Sequence, residues 1–411
     1  MQFKDLQLNK HILRAIADKK YDIPTPVQVQ TIPLMLAKKD VIASAQTGTG
    51  KTAAFALPIL QLLFDKQDPS KKGKKIRSLV VSPTRELAIQ IEESFRGYAK
   101  YTNLKTAVVF GGTAIDRQVT ILKNGVDILI ATPGRLLDLH KQELINLSFI
   151  EILVLDEADL MLDMGFIDDV KKIERLCTKS KQIALFSATM PEKVVELAQT
   201  ILNKPEKVDI TPLYATAQGV NQILYYVPKT QKMELCLHLL RNTIKGDILI
   251  FRRTKFGVDK LENMLRKNDF SVASIHGDKT QDVREEALNR FKNKDVSILI
   301  ATDVASRGID IDHLDAVINF DIPNIPESYV HRIGRTGRAG NTGTAHSFCA
   351  ADEKIYIQGI QKLINITIPV VEDHPYPLDP NAKPEIYRKL GTKPKKGRKS
   401  DASKKNKKRW Y

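Results

Sequence analysis

The constraint that most limits this chain's fold is an alternation: short, nearly continuous apolar runs, each separated by a helix-length amphipathic stretch. Val41–Ala45, Leu79–Ser82, Ile128–Ala131, Ile152–Leu155 and Ile183–Phe186 form one series, and Ile248–Phe251, Ile298–Ala301 and Val317–Phe320 a second. Strands that are apolar throughout, rather than at every second residue, are buried on both faces. Helix-length spacing between them predicts parallel sheets covered by helices on both sides, an α/β fold. At 411 residues the chain exceeds what a single core sustains, so two domains are expected. The echo between Ile128-Leu129-Ile130-Ala131-Thr132 and Ile298-Leu299-Ile300-Ala301-Thr302 agrees with two related lobes.

The turn residues of 211–219 mark the joint between lobes, giving segments 1–29, 30–210, 211–219, 220–374 and 375–411. After His374, Pro375, Pro377, Pro380 and Pro384 break any helix and Lys/Arg follow, so 375–411 reads as a basic disordered tail. From Lys383 onward there are 13 Lys/Arg and two acids, which accounts for +11 of the net +16. The body is therefore nearly balanced, while the tail suits sequence-independent attraction to a polyanion. Lys71-Lys72-Gly73-Lys74-Lys75 reads as a solvated loop tip.

No apolar run reaches membrane length, and Met1-Gln2-Phe3-Lys4-Asp5 begins neither a signal nor a transit peptide. Cys177, Cys236 and Cys349 are too scattered for a zinc site or a disulfide framework. A reducing, cytoplasmic setting is expected.

Ala45-Gln46-Thr47-Gly48-Thr49-Gly50-Lys51-Thr52 follows a strand and opens a helix. In that context Gly48 and Gly50 let backbone N–H groups close on phosphate oxygens, aided by the helix N-terminus. Lys51 would reach the β- and γ-phosphates and the Thr52 hydroxyl would ligate Mg²⁺. Ala45 stands where the strict pattern has Gly. The strand Ile152–Leu155 ends in Asp156-Glu157-Ala158-Asp159, placing adjacent carboxylates where open α/β sheets bind ligands. Asp156 would hold Mg²⁺ and Glu157 would activate water.

Asp156-Glu157-Ala158-Asp159 spells the motif of the DEAD-box RNA helicases of superfamily 2, and other segments resemble that family in order. Tyr21 to Gln28 resembles its Q motif, which implies that Gln28 reads adenine, Tyr21 stacks on it and Phe3 supports the pocket. Lys20 stands where the family usually has Gly. Pro83-Thr84-Arg85, Gly111-Gly112 and Thr132-Pro133-Gly134-Arg135 resemble its RNA-contacting turns. Ser187-Ala188-Thr189 resembles the segment coupling ATP to strand separation. In the second series, the resemblance implies RNA contacts at Arg252, Gln281, Arg284 and Thr302. It also implies nucleotide contacts at Gly308 and Asp310. His331-Arg332-Ile333-Gly334-Arg335-Thr336-Gly337-Arg338 resembles the arginine-finger motif, assigning His331, Arg335 and Arg338 to catalysis. The resemblance runs from Phe3 to about Val370 and is nearest to bacterial RhlE-type members.

It implies two tandem RecA-like lobes, each a mostly parallel sheet with helices on both faces. ATP and Mg²⁺ serve an enzyme that closes on single-stranded or duplex RNA, free or in ribonucleoprotein and ribosomal assemblies. An ATP-gated RNA clamp or annealing factor, and a DNA helicase of the same superfamily, are the rival readings.

Overall fold

The computed structural model describes residues 1–45, 48–65, 75–210, 219–306, 311, 314–337 and 343–379. Two wholly parallel sheets organise the chain. The first holds β1 Val41–Ser44, β2 Ser78–Val81, β3 Thr106–Val109, β4 Ile128–Ala131, β5 Ile152–Leu155, β6 Gln182–Ser187 and β7 Glu206–Asp209, in the order β3-β4-β2-β5-β6-β1-β7. The second holds β8 Val220–Tyr226, β9 Ile248–Arg252, β10 Val272–Ile275, β11 Ile298–Thr302, β12 Ala316–Asn319 and β13 Gly343–Cys349, ordered β10-β11-β9-β12-β13-β8.

Strand alternation splits each apolar run between two cores. Ile128, Ile130, Ile152 and Val154 face one helical layer, whereas Leu129, Ala131, Leu153 and Leu155 face the other. In the second sheet Ile248, Ile250, Ile298 and Ile300 oppose Leu249, Phe251, Leu299 and Ala301 in the same way. A strand covered by helices on both sides therefore has no polar positions to show. β7 gives no such signal, because at this sheet edge only Val208 is buried.

The body continues past His374, contrary to a tail beginning at Pro375. β8 is an edge strand, and the 369–378 segment lies along it: Leu224 N–H donates to Pro369 O, Val371 N–H to Leu224 O and Leu378 N–H to Tyr226 O, at 2.9–3.0 Å. Tyr376 packs on the core beneath. Proline lacks a donor but tolerates extended backbone, so a proline-rich segment can cover an edge that would otherwise stay open. Residues 380–411, the proposed joint 211–218 and 71–74 of the lysine-rich loop lie outside the described residues.

All three cysteines are free and buried, and burial pushes each thiol up to about 12. No described helix is long and apolar enough to cross a membrane.

One buried ion cluster ties the second lobe together. Lys232 Nζ lies 2.5 Å from Glu353 Oε2 and donates to Phe320 O at 2.9 Å, while Arg253 reaches Glu353 Oε1 at 3.2 Å. Lys232 and Glu353 are both essentially inaccessible. Removing one partner strands a buried charge, so Lys232→Ala should lower second-lobe stability by about 3–5 kcal/mol. A denaturant midpoint indistinguishable from the parent protein's would refute that.

Candidate functional site

The carboxyl ends of β1, β6 and β5 stand side by side, and the loops that follow them meet in one cleft. Gly48 and Gly50 take φ of 83° and 92°, in the left-handed region that favours glycine. A Cβ at Gly50 would also strike the Gln28 amide nitrogen, which donates to Gly50 O at 3.2 Å. Gln28 Oε1 in turn accepts from Thr25 N–H at 3.0 Å. The Gln28 amide is thus clamped against the phosphate-type loop from the helix Pro26–Leu36. Gln46 and Thr47 lie outside the described residues, while Ala45 N–H donates to Ser187 O at 3.0 Å and closes the end of the strand.

Lys51 opens the helix Lys51–Asp65, buried, with Nζ 2.6 Å from Glu157 Oε1. Burial opposes its charge, but Glu157 and Asp156 outweigh that and raise its pKa. Glu157 has φ 55° and ψ 55°, a left-handed conformation uncommon outside glycine that costs of order 1–3 kcal/mol. Burial pushes the neighbouring Asp156 carboxyl up to about 7, against the attraction of Lys51.

β6 lies between β5 and β1, so its end joins the two halves of the cleft. Asp159 Oδ2 accepts from Thr189 N–H at 2.9 Å and from Thr189 Oγ1 at 2.8 Å. Ser187 Oγ accepts from Asp159 N–H at 3.1 Å and donates to Thr189 O at 2.7 Å. Burial disfavours the Asp159 charge, yet His331, Lys51 and these hydroxyls together hold its carboxyl below the ordinary range.

The resulting cavity of about 560 Å³ has Phe3, Tyr21 and Gln28 at one end and Lys51, Thr52, Asp156 and Glu157 at the other. Arg335 reaches its wall from the second lobe. An adjoining 240 Å³ cavity brings His331 and Arg335 beside Glu157, Asp159 and Thr189. Leu87, Gln90, Ser94 and Tyr98 also line the main cavity. Sequence reading missed them because they are ordinary residues of the helix Arg85–Tyr98. Arg338, Gly308 and Asp310 lie outside the described residues.

A second depression of about 530 Å³ lies at the ends of β2, β3 and β4. It collects Pro83, Thr84, Arg85, Gly111, Thr132, Gly134 and Arg135 from the first lobe and Gly277 and Arg284 from the second. Gly112 has φ 82°, and a Cβ there would run into the Arg85 guanidinium. Arg135 Nη2 donates to Thr113 O at 3.0 Å, locking the same loop. Arg284 Nη2 lies 2.8 Å from Glu86 Oε1, a buried ion pair across the lobes that no local sequence pattern announces. Burial and the nearby Arg85 lower the Arg284 pKa despite Glu86.

Three of the second lobe's expected RNA contacts do not line this depression. Arg252 lies 3.0 Å from Asp321 Oδ2 and its guanidinium stacks 4.0 Å over the Phe320 ring. Its position at the end of β9 exposes it to the loop after β12, which captures it. Gln281 is buried and donates to Glu285 at 2.9 Å, and Thr302 ends β11 beside Arg252 in register. Within the arginine-rich segment, Arg332 is a structural cation: Nε and Nη2 hold Asp303 at 2.6 and 2.7 Å.

Two parallel lobes with a glycine–lysine loop, adjacent carboxylates and an arginine supplied across the cleft define a nucleotide-hydrolysing, two-lobe RecA-like protein. The "DEAD/DEAH box helicase" model matches residues 25–197 and the "Helicase conserved C-terminal domain" model residues 231–340. The ATP-dependent RNA helicase CshA of Limosilactobacillus reuteri is 41% identical over 94% of this chain and 76% of its own length. S. cerevisiae Dbp5 bound to RNA and ADP BeF3 is 30% identical, with a TM-score of 0.80 over 90% of this chain and 95% of that one. A point variant of Dbp5 bound to a point variant of Gle1 and to IP6, also 30% identical, covers 90% and 94% but scores 0.71. This chain belongs to the DEAD-box ATP-dependent RNA helicases and is an RNA-stimulated ATPase.

Proposed function

We propose that the 560 Å³ cavity is the ATP site and the 530 Å³ depression the RNA track, and that closing the lobes completes both. One observation carries this reading: Arg335 of the second lobe lines the same cavity as Lys51, Asp156 and Glu157 of the first. The division is a first lobe, with its Q-motif segment 1–29, up to residue 210, a joint at 211–219 and a second lobe from 220. Adenine sits between Tyr21 and the Gln28 amide, above Phe3. The phosphates reach Lys51, which exchanges its Glu157 partner for them, and Glu157 is then free to orient and deprotonate water. Arg335 and His331, with Arg338 implied by the family, stabilise charge on the transferred phosphoryl group.

The donor set fits Mg²⁺. Asp156 and Thr52 are hard oxygen donors in one cavity, few enough to leave places for water and phosphate, and burial makes the Asp156 charge costly without a cation. Bound there, the ion would neutralise phosphate charge. Ser187 and Thr189 hold Asp159 and so tie the carboxylate loop to the strand that borders the phosphate loop.

RNA phosphates are held by Arg85, Arg135 and the glycine turns, contacts that position a strand without reading its sequence. Because ATP and RNA both prefer closed lobes, each strengthens the other's binding. Ribonucleoproteins in the cytoplasm are the expected setting. Gly112→Ala should displace Arg85, weaken RNA binding about tenfold, the scale of one lost charge-assisted contact, and leave ATP affinity unchanged. RNA affinity equal to the parent protein's would remove Gly112 from the track.

The deciding test is steady-state ATPase with no nucleic acid, with single-stranded RNA and with DNA of matched sequence. Strong stimulation by RNA and little by DNA is expected. Equal stimulation by DNA would overturn RNA selectivity.

A further inference from the structure

At the opposite, amino-terminal edge of the first sheet lies a third cavity of about 660 Å³, larger than the nucleotide cavity. Lys38, Lys39, Lys179 and Lys204 stand around it, all exposed and none with a carboxylate partner among the described residues. Its acids are already committed. Asp40 accepts Ile183 N–H at 2.8 Å and Asn203 N–H at 2.7 Å, Glu151 pairs with Arg77 at 2.7 Å, and Glu174 pairs with Lys181 at 2.7 Å. The buried Gln182 helps line the cavity and braces it by donating to Met35 O at 3.1 Å and Lys39 O at 2.6 Å.

Lys38, Lys179 and Lys204 follow the helices Pro26–Leu36, Ile167–Leu176 and Glu192–Ile201. A helix C-terminus favours a nearby cation, which accounts for one lysine at each end. It does not account for the three facing one cavity with Lys39. Asp40 keeps its charge, since both its donors are neutral backbone N–H groups, but four lysines outnumber it and leave the concavity positive, which favours a bound polyanion.

We propose that this cavity is a second RNA-backbone site, on the face of the first lobe away from the ATP-gated track. It rests on the reading of RNA as substrate. It engages one lobe alone, so it holds RNA whether or not nucleotide has closed the cleft. The cations lie on three separate segments around an open cavity, which suits successive phosphates of a chain better than a single small anion.

The test is full-length K38A/K39A/K179A/K204A, bound to single-stranded RNA without nucleotide across a salt series. Four lost phosphate contacts should reduce the slope of log K against log salt by about 2–3. RNA-stimulated kcat at saturating RNA should be unchanged, and the four-fold Lys→Arg variant should restore the slope. In the parent protein, RNA should shield these lysines from acylation without nucleotide. An unchanged slope in a variant whose RNA-stimulated ATPase is normal overturns the site alone. Selective loss of binding to an acidic protein, with RNA binding intact, overturns it in favour of a protein surface. Failure of RNA to stimulate the parent protein would instead overturn the underlying reading.

Discussion

Arg335→Ala should lower ATP turnover by about 10³–10⁵-fold, or roughly 4–7 kcal/mol of barrier, while ATP still binds. Arg335 is 6% exposed and stands in the wall shared with Lys51, Asp156 and Glu157. Its backbone is pinned, since its N–H donates to Arg332 O at 3.2 Å and its carbonyl accepts from Leu314 N–H at 3.2 Å. The backbone that carries Arg335 is therefore fixed, and truncation removes a charge from the cavity wall while those two backbone bonds stay in place. Arg335→Lys keeps the charge but loses the planar fork, so it should recover only part of the rate. Single-turnover hydrolysis combined with nucleotide-binding titration separates the two steps. Normal turnover in Arg335→Ala would refute the finger assignment.

Glu157→Gln should reduce hydrolysis by about 10²–10⁴-fold, the scale of a lost general base, and should lengthen RNA residence in the presence of ATP. The side chain is set by the left-handed backbone at Glu157 and by Lys51 at 2.6 Å. Gln preserves the size and accepts from Lys51 through its carbonyl, so the phosphate loop should stay in place and ATP should still close the lobes. Slow turnover then leaves the RNA held in the closed state. Rapid RNA release from this variant would argue that another group activates water.

The two variants probe opposite walls of the cleft, and their difference is informative. Loss of Arg335 weakens the second lobe's contribution to the site, whereas Glu157→Gln leaves both lobes' contacts with phosphate intact. RNA residence with ATP should therefore be longer in Glu157→Gln than in Arg335→Ala. The reverse order would mean that closure does not depend on the cross-cleft arginine.

Much of the proposed ATP site was legible because its residues lie close together in the chain. Gly48, Gly50, Lys51 and Thr52 share one strand–loop–helix turn, and Asp156 and Glu157 one strand end. A contiguous motif carries its own geometry. The groove was less legible. Arg85, Gly111 and Arg135 were found from the first lobe's turns, but that Gly112 makes room for the Arg85 guanidinium is visible only in space. Arg252 illustrates the limit: the family resemblance implies an RNA contact there, and only the pairing of β12 with β9 shows that Asp321 and Phe320 lie against its guanidinium. Arg332 and Asp303 teach the same lesson within the arginine-rich segment. The edge role of 369–378 was hidden because proline-rich sequence reads as disorder until a strand edge is there to be covered.

The sequence by itself determined the parallel α/β class, the two lobes, the phosphate loop and the paired carboxylates. Each of these depends on burial periodicity or on residues within a single turn. Only the tertiary structure decided which cations line the cavities and which pair with carboxylates, that Arg284 pairs with Glu86 across the lobes, and that four lysines share one cavity. Coulomb and hydrogen-bond energies depend on distance in space, and residues far apart in the chain acquire that distance only when the sheets assemble.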